Sequence, residues 1–315
     1  ELNMSDRNLV SIIMNCNKGE RCLKESIDSV FQQTYDNWEI IFFDNCSSDD
    51  SKKIALSYGP RVVYVCSDKL LSLGCARREA VKYAKGEWIG FLDVDDIWYP
   101  KKLNEQISLI KSDSAALIYS GVDNIDVTGK IISQSRPKLR EGKLLDVLLQ
   151  HFDINMVTPL INRQFLLDNN LTFNGNIQAS EEYNLFLRIA AKGRIKSVPD
   201  IHGAYRVYYG SLTDKTISSW AFDRLATLRQ LNRENKDLNL YKNPQFISAR
   251  MHARYYSARY YMSIGNFSKA QKRLLLIRYY RFAYYVLWAA SHSPTVWDLL
   301  HKRSMKTHIS KFFTK

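Results

Sequence analysis

Short apolar runs alternate with amphipathic stretches through the first 110 residues. The run over residues 9–14, with Val10, Ile12, Ile13 and Met14, predicts a buried strand. Residues 22–33 put Leu23, Ile27, Val30 and Phe31 on one helical face. A second strand is expected over 38–43, stopped by the polar cluster 44–51. A short helix near 51–57 and a strand over 62–65 follow. Residues 75–85 read as a helix stopped by Gly86. The next strand, 88–92, runs directly into Asp93, Asp95 and Asp96, and 100–110 has helical spacing. Strands alternating with helices imply right-handed βαβ units and an α/β fold with a mostly parallel sheet. Ligands of such sheets gather at the carboxyl ends of the strands, where Asp44 and Asp93 fall.

The middle of the chain is less regular. A strand is expected over 116–119, a hairpin turn over 127–130, and a helix over 181–192 carrying Leu185, Leu187, Ile189 and Ala190. From Ser218 onward the pattern is helical, with breaks at Pro244, Gly265-Asn266 and Pro294. Residues 253–276 form a helix-turn-helix pattern faintly like one tetratricopeptide unit, too little for a repeat array.

Charge separates the two parts. The chain of 315 residues carries a net +13, yet residues 216–315 alone hold 18 Lys and Arg against 4 Asp and Glu. The first 215 residues are therefore close to neutral. The same final hundred residues hold 18 aromatics. Two regions with different partners are expected, 1–215 and 216–315. No apolar run reaches the roughly 20 residues of a membrane span. No secretory pattern is read in the opening residues. The five cysteines form no CxxC pair and read as reduced thiols. A cytoplasmic placement follows, with the inner face of the cell membrane as the alternative.

Chemistry concentrates in two acidic loops. Asp93, Asp95 and Asp96 repel one another at the end of an apolar strand, which suits a hard divalent cation such as Mg²⁺ or Mn²⁺. A solvated loop capping the next helix fits the same residues. The loop from Asp44 through Ser47, Ser48 and Asp49 is suited to accept hydrogen bonds from a base or to cap a helix. There is no nucleophile elbow, P-loop or GxGxxG signature, and the six histidines show no metal-ligand spacing.

Taken jointly, these stretches resemble a bacterial-type family 2 glycosyltransferase. The resemblance runs through Val10–Met14, residues 27–41, Asp44–Asp49, Leu73–Arg77, Gly86–Asp96 and Trp98–Leu103. It is strong to about residue 109 and thinner to about 213. It implies a GT-A fold, a Rossmann-like mostly parallel mixed sheet flanked by helices, with a C-terminal α-helical region. It implies an inverting, metal-dependent enzyme that takes a sugar from a nucleotide-sugar donor, UDP-sugars favoured, to a hydroxyl of a glycan or lipid-linked acceptor, in surface polysaccharide or glycoconjugate synthesis. Asp44, Asn17, Arg77 and Asp93 would contact the donor. Asp95, with Asp93, would hold Mn²⁺ or Mg²⁺. Glu182 would be the catalytic base, with Glu181, Tyr208, Arg206 and Trp98 as supporting residues.

The chain departs from that family pattern at several points. Asn17-Lys18 stands where Tyr-Asn is common, Arg78 where Asn follows Arg77, Glu182 where Asp is usual, and Tyr208 where a metal-binding His is usual. Two alternatives stay open on the sequence: a sugar nucleotidyltransferase, for which residues 15–19 make a poor triphosphate loop, and a non-catalytic membrane- or partner-binding scaffold with a degenerate transferase domain. In the basic region, Arg and Tyr crowd residues 250–290. That composition suits an anionic membrane surface or an inward-packed helical subdomain. No recognition motif for nucleic acid accompanies it, and none is expected to bind.

Overall fold

The computed structural model describes residues 8–110, 115–208 and 219–300. The expected boundary at residue 215 and the tail beyond residue 300 lie outside them. The chain forms two compact units, one of Glu1–Leu148 with Phe152–Ser211, the other of Leu149–His151 with Leu212–Lys315.

The first unit is a sheet flanked by helices. Its elements are β1 (Val10–Cys16), α1 (Glu20–Phe31), β2 (Trp38–Asp44), α2 (Ser51–Leu56), β3 (Val62–Cys66), α3 (Leu73–Val81), β4 (Trp88–Phe91), β5 (Ile97–Trp98) and α4 (Lys102–Ile110). They continue as β6 (Ala115–Ile125), β7 (Ile131–Ser135), β8 (Arg140–Gly142), α5 (Leu145–Gln150), β9 (Leu160–Asn162), α6 (Arg163–Asp168), α7 (Glu181–Lys192) and β10 (Arg194–Arg206). The strand order is β3-β2-β1-β4-β9-β6-β10-β5, with β7 on β6 and β8 on β10.

The first half behaves as its apolar runs require. β1 is almost wholly buried because helices cover both sheet faces, so it reads as a continuous hydrophobic run rather than an alternating one. β3, β2, β1 and β4 are parallel. In register, Cys16 lies beside Asp44 and Asp44 beside Cys66, so the three strands end at one edge. Gly86 permits a close crossing: a Cβ there would lie 2.5 Å from the Leu9 carbonyl oxygen. α3 ends at Val81, ahead of that glycine.

β9 enters antiparallel beside β4 and β6, which makes the sheet mixed. The strand expected over 116–119 continues to Ile125, because its polar residues find partners. Asp123 accepts from Tyr99 (2.7 Å) and Gln134 (2.7 Å), and Asn124 donates to Ser133 (2.9 Å). The turn over 127–130 is present, built on Asp126, whose carboxylate accepts from the Thr128 and Lys130 amides, with Gly129 at φ +87°.

The second unit is helical: α8 (Trp220–Glu234), α9 (Pro244–Ser263), α10 (Phe267–Leu275) and α11 (Phe282–Ala290), with two short 3₁₀ turns before α9. The predicted breaks have visible causes. Asn243 caps α9 by accepting from the Phe246 amide, and Pro244 follows in the first helical turn, where its missing N–H costs nothing. Gly265, at φ +74°, turns the chain, and Asn266 caps α10.

Candidate active site

The carboxyl edge of the first unit's sheet gathers the acidic residues. Residues 92–96 leave β4 and turn sharply into β5, where β10 pairs antiparallel. Gly19, ahead of α1, lets the first loop sit against this turn: a Cβ there would meet Val94 at 2.7 Å and the Cys16 sulfur at 2.8 Å.

Arg77 organises the centre. It lies on α3 with only 3% of its surface exposed. Its Nη2 donates to both oxygens of Asp93, at 2.7 and 2.8 Å, and its Nη1 donates to Glu181. Burial pulls against its charge, but Asp93 and Glu181 outweigh it and hold the guanidinium above its ordinary pKa. Three segments far apart in sequence are thereby joined: α3, the end of β4, and the first turn of α7. Arg77 thus holds two site carboxylates in place, a role the sequence alone did not disclose. Glu182, the next residue on α7, is half-buried and lies within the electrostatic reach of Arg77.

Asp95 and Asp96 sit on the other side of the turn. Both carboxyls are pushed up, first by burial and then by neighbouring carboxylates. Asp96 accepts from the Arg206 amide (2.8 Å) and is only 2% exposed, so it ties the turn to β10. Arg206 also donates through Nε to the Asp95 carbonyl (2.8 Å) and through Nη2 to Glu25 (2.7 Å). It braces the turn from below. Tyr208 donates its hydroxyl to Asp95 Oδ2 (3.0 Å). Burial and the adjacent Asp95 push the phenol up to about 12, so it keeps its proton at neutral pH.

Asp44, at the end of β2, is buried. Its Oδ1 accepts from the Ser47 amide (2.7 Å) and its Oδ2 from the Tyr64 hydroxyl (2.6 Å). Tyr64 stacks on Phe42, with ring centroids 6.0 Å apart. Sequence reasoning passed over Tyr64; the signal was its place on β3 directly beside Phe42 in register. Asn45 was missed too. It both donates to and accepts from Leu71, each at 2.9 Å, which fastens the chain between β3 and α3. Asn17 donates to the Asn45 carbonyl (2.8 Å), an arrangement that closes the first loop on the second.

Trp98, expected as a supporting residue, follows the acidic turn on β5. It is 1% exposed and packs in the core, with its indole N–H on the Val157 carbonyl (2.8 Å).

Among the described residues no three His, Cys, Asp or Glu converge as a complete metal cage. The donor chemistry nonetheless fits a hard cation. Asp95 is a carboxylate held in place by Tyr208 beside two further acids, and its carboxyl is pushed up first by burial and then by Asp93. Asp93 already has both oxygens on Arg77. Of the two, Asp95 would then be the one with a carboxylate oxygen to offer such a cation.

The model of "Glycosyl transferase family 2" matches residues 11–175. The chain is 32% identical over 197 residues to the Escherichia coli UDP-Glc:alpha-D-GlcNAc-diphosphoundecaprenol beta-1,3-glucosyltransferase WfgD, covering 61% of this chain and 74% of that one. It is 29% identical over 210 residues to WfaP of Escherichia coli, of the same described activity, covering 65% and 80%. In three dimensions it is similar to S. aureus TarS 1-349 in complex with UDP (TM-score 0.58, 15% identity, 95% of this chain and 91% of that one). It is also similar to the mannosyltransferase PcManGT of Pyrobaculum calidifontis in complex with GDP-Man and Mn²⁺ (TM-score 0.52, 14% identity, 95% and 89%). These structural likenesses show a shared fold, the GT-A glycosyltransferase architecture. On this evidence the chain belongs to glycosyl transferase family 2.

Proposed function

We propose that this glycosyltransferase moves a sugar from a nucleotide-sugar, a UDP-sugar in preference, to a hydroxyl of a lipid-linked glycan, with inversion at the anomeric carbon. The observation that carries the reading is the Arg77 clamp, which sets the Asp93–Asp95 turn and the Glu181–Glu182 pair on one network. The printed activities of WfgD and WfaP, both UDP-glucose enzymes acting on a diphosphoundecaprenol acceptor, support the donor and acceptor classes. Family membership leaves the nucleotidyltransferase alternative without support.

The geometry supports the following division of labour. Asp44, positioned by Ser47 and Tyr64, keeps lone pairs for the N–H of a base. Asp95, oriented by Tyr208, would hold Mn²⁺ or Mg²⁺. That cation, when bound, supplies positive charge opposite the departing diphosphate. Arg77 neutralises Asp93 and Glu181, so the donor's anionic diphosphate meets less repulsion at this edge. Glu182 takes the proton from the acceptor hydroxyl as its oxygen bonds to the anomeric carbon. The bond from that carbon to the diphosphate oxygen breaks, its electron pair leaving with the nucleoside diphosphate. A single displacement inverts the configuration.

Glu182→Gln is expected to lower transfer about 10²- to 10⁴-fold, the usual worth of a positioned general base, with donor binding retained. Asp95→Asn is expected to lower both transfer and donor binding. Full transfer by both variants on a lipid-linked acceptor would overturn the assignment.

A further inference from the structure

The composition of residues 250–290 suggested a membrane surface or an inward-packed subdomain, and in the structure part of that segment packs inward and part is exposed. α9 takes the packed role. Its Met251, Ala258 and Met262 form a core with Ala270, Leu274, Ile277 and Tyr284, and Tyr255 lies against Tyr284 with centroids 5.8 Å apart. The α10–α11 hairpin behaves differently. α11 is apolar on every side, a pattern that normally marks a fully buried helix. Tyr284, Leu287 and Trp288 face the core, yet Phe282, Tyr285, Val286 and Ala289 form a second stripe at i, i+3, i+4 and i+7 that faces water. Phe282 is 81% exposed. In the turn before α11, Tyr279 is also 81% exposed and Leu276 is 58% exposed.

Charge identifies the occupant. Residues 238–297 contain nine Lys and Arg and no Asp or Glu. Lys269, Lys272 and Arg281 are exposed around the apolar stripe, and Arg278 lies over the Tyr279 ring, 4.4 Å from its centroid. A second copy docking here on a two-fold axis would bring like charges together. Aromatic and aliphatic side chains ringed by cations match the acyl–headgroup boundary of an anionic bilayer, where tyrosine and phenylalanine enter the interface and lysine and arginine meet phosphate. No described helix is long and apolar enough to cross a membrane, so the fit is to a surface.

We infer that the α10–α11 hairpin docks the protein on anionic lipid bilayers, with Leu276, Tyr279, Phe282 and Val286 entering the interface and Lys272, Arg278 and Arg281 on the headgroups. The inference rests on this surface and not on the proposed transfer reaction, although docking would bring the chain to a lipid-linked acceptor.

The test is sedimentation of the full chain with sucrose-loaded vesicles of phosphatidylcholine alone, or of phosphatidylcholine and phosphatidylglycerol at roughly three to one. Neither donor nor acceptor is needed, so a failure here leaves the transferase reading standing. The wild type should sediment with the anionic vesicles only, and less as salt is raised. The Leu276→Asp/Phe282→Asp double variant should bind at least about tenfold more weakly, because two large apolar side chains no longer leave water. Its far-ultraviolet circular dichroism and melting temperature should be unchanged, since both side chains are exposed. Lys272→Glu/Arg281→Glu should weaken anionic binding while leaving the melting temperature in place. Equal sedimentation of the apolar variant and wild type would overturn the inference. So would a wild-type dimer, dissociated by Leu276→Asp/Phe282→Asp, that binds no vesicles.

Discussion

Replacing Arg77 with Met keeps the volume and removes the charge from a position that is 3% exposed. Two carboxylates then lose their cation. Glu181, 4% exposed, is left buried beside Glu182, whereas Asp93 is about a third exposed and regains water. Breaking a buried pair by removing one partner costs about 3–5 kcal/mol, because the remaining charge stays desolvated. Solvent screening discounts the Asp93 half, which leaves about 3 kcal/mol, most of it from Glu181. Urea unfolding followed by circular dichroism should show that loss as a lower midpoint with an unchanged slope. Adding Glu181→Gln to Arg77→Met should recover at least about 1 kcal/mol, because the buried charge that faced Arg77 is gone. A loss of less than about 0.5 kcal/mol in the single variant, or no recovery in the double, would refute the reasoning that these groups form one buried network.

Two further variants probe neighbouring features. Lys102 is fully buried, donating to Gln106 and the Thr158 carbonyl (2.7 Å), and burial holds its amine well below the usual lysine range. Below the unfolded-state value, near 10.4, the unfolded chain carries a proton that the folded chain binds less readily, so this group lowers stability as pH falls towards its folded pKa. Lys102→Met should flatten the rise of melting temperature with pH on the acid side of about 10 and raise the midpoint at pH 7. A wild-type slope retained in the variant would assign it to other groups. Tyr208→Phe removes the hydroxyl on Asp95 and should weaken manganese-dependent nucleotide binding about tenfold, the scale of losing an orienting hydrogen bond on a metal ligand. Calorimetric titration checks this, and unchanged affinity would show that Asp95 needs no such support.

The first half of the fold was legible because parallel strands buried on both faces leave continuous apolar runs, as in Val10–Cys16 and Trp38–Asp44. The acids at their ends were legible for the same reason, since strand termini are local features. β10 was not legible. Its thirteen residues include Pro199, Asp200 and Gly203, and its ladder with β6 is broken by register shifts, so no period of two survives. The burial of Trp98 was not legible, because an aromatic beside an acidic turn reads the same whether it faces solvent or core. Only the Val157 carbonyl, 59 residues away, decides between them. The role of Glu181 was hidden likewise, since its partner Arg77 is 104 residues distant. In the helical unit, the breaks at Pro244 and Gly265-Asn266 were readable, but which aromatics pack inward was set by tertiary contacts alone.

The turn after β4 is proposed to hold a nucleoside diphosphate through a divalent cation on Asp95. Isothermal titration of UDP into the full chain, with manganese and then with excess chelator, tests it most directly. Saturable binding that requires manganese and is lost in Asp95→Asn is the predicted result. UDP binding of equal strength with chelator present and in Asp95→Asn, or no UDP, GDP or dTDP binding with manganese, would contradict it.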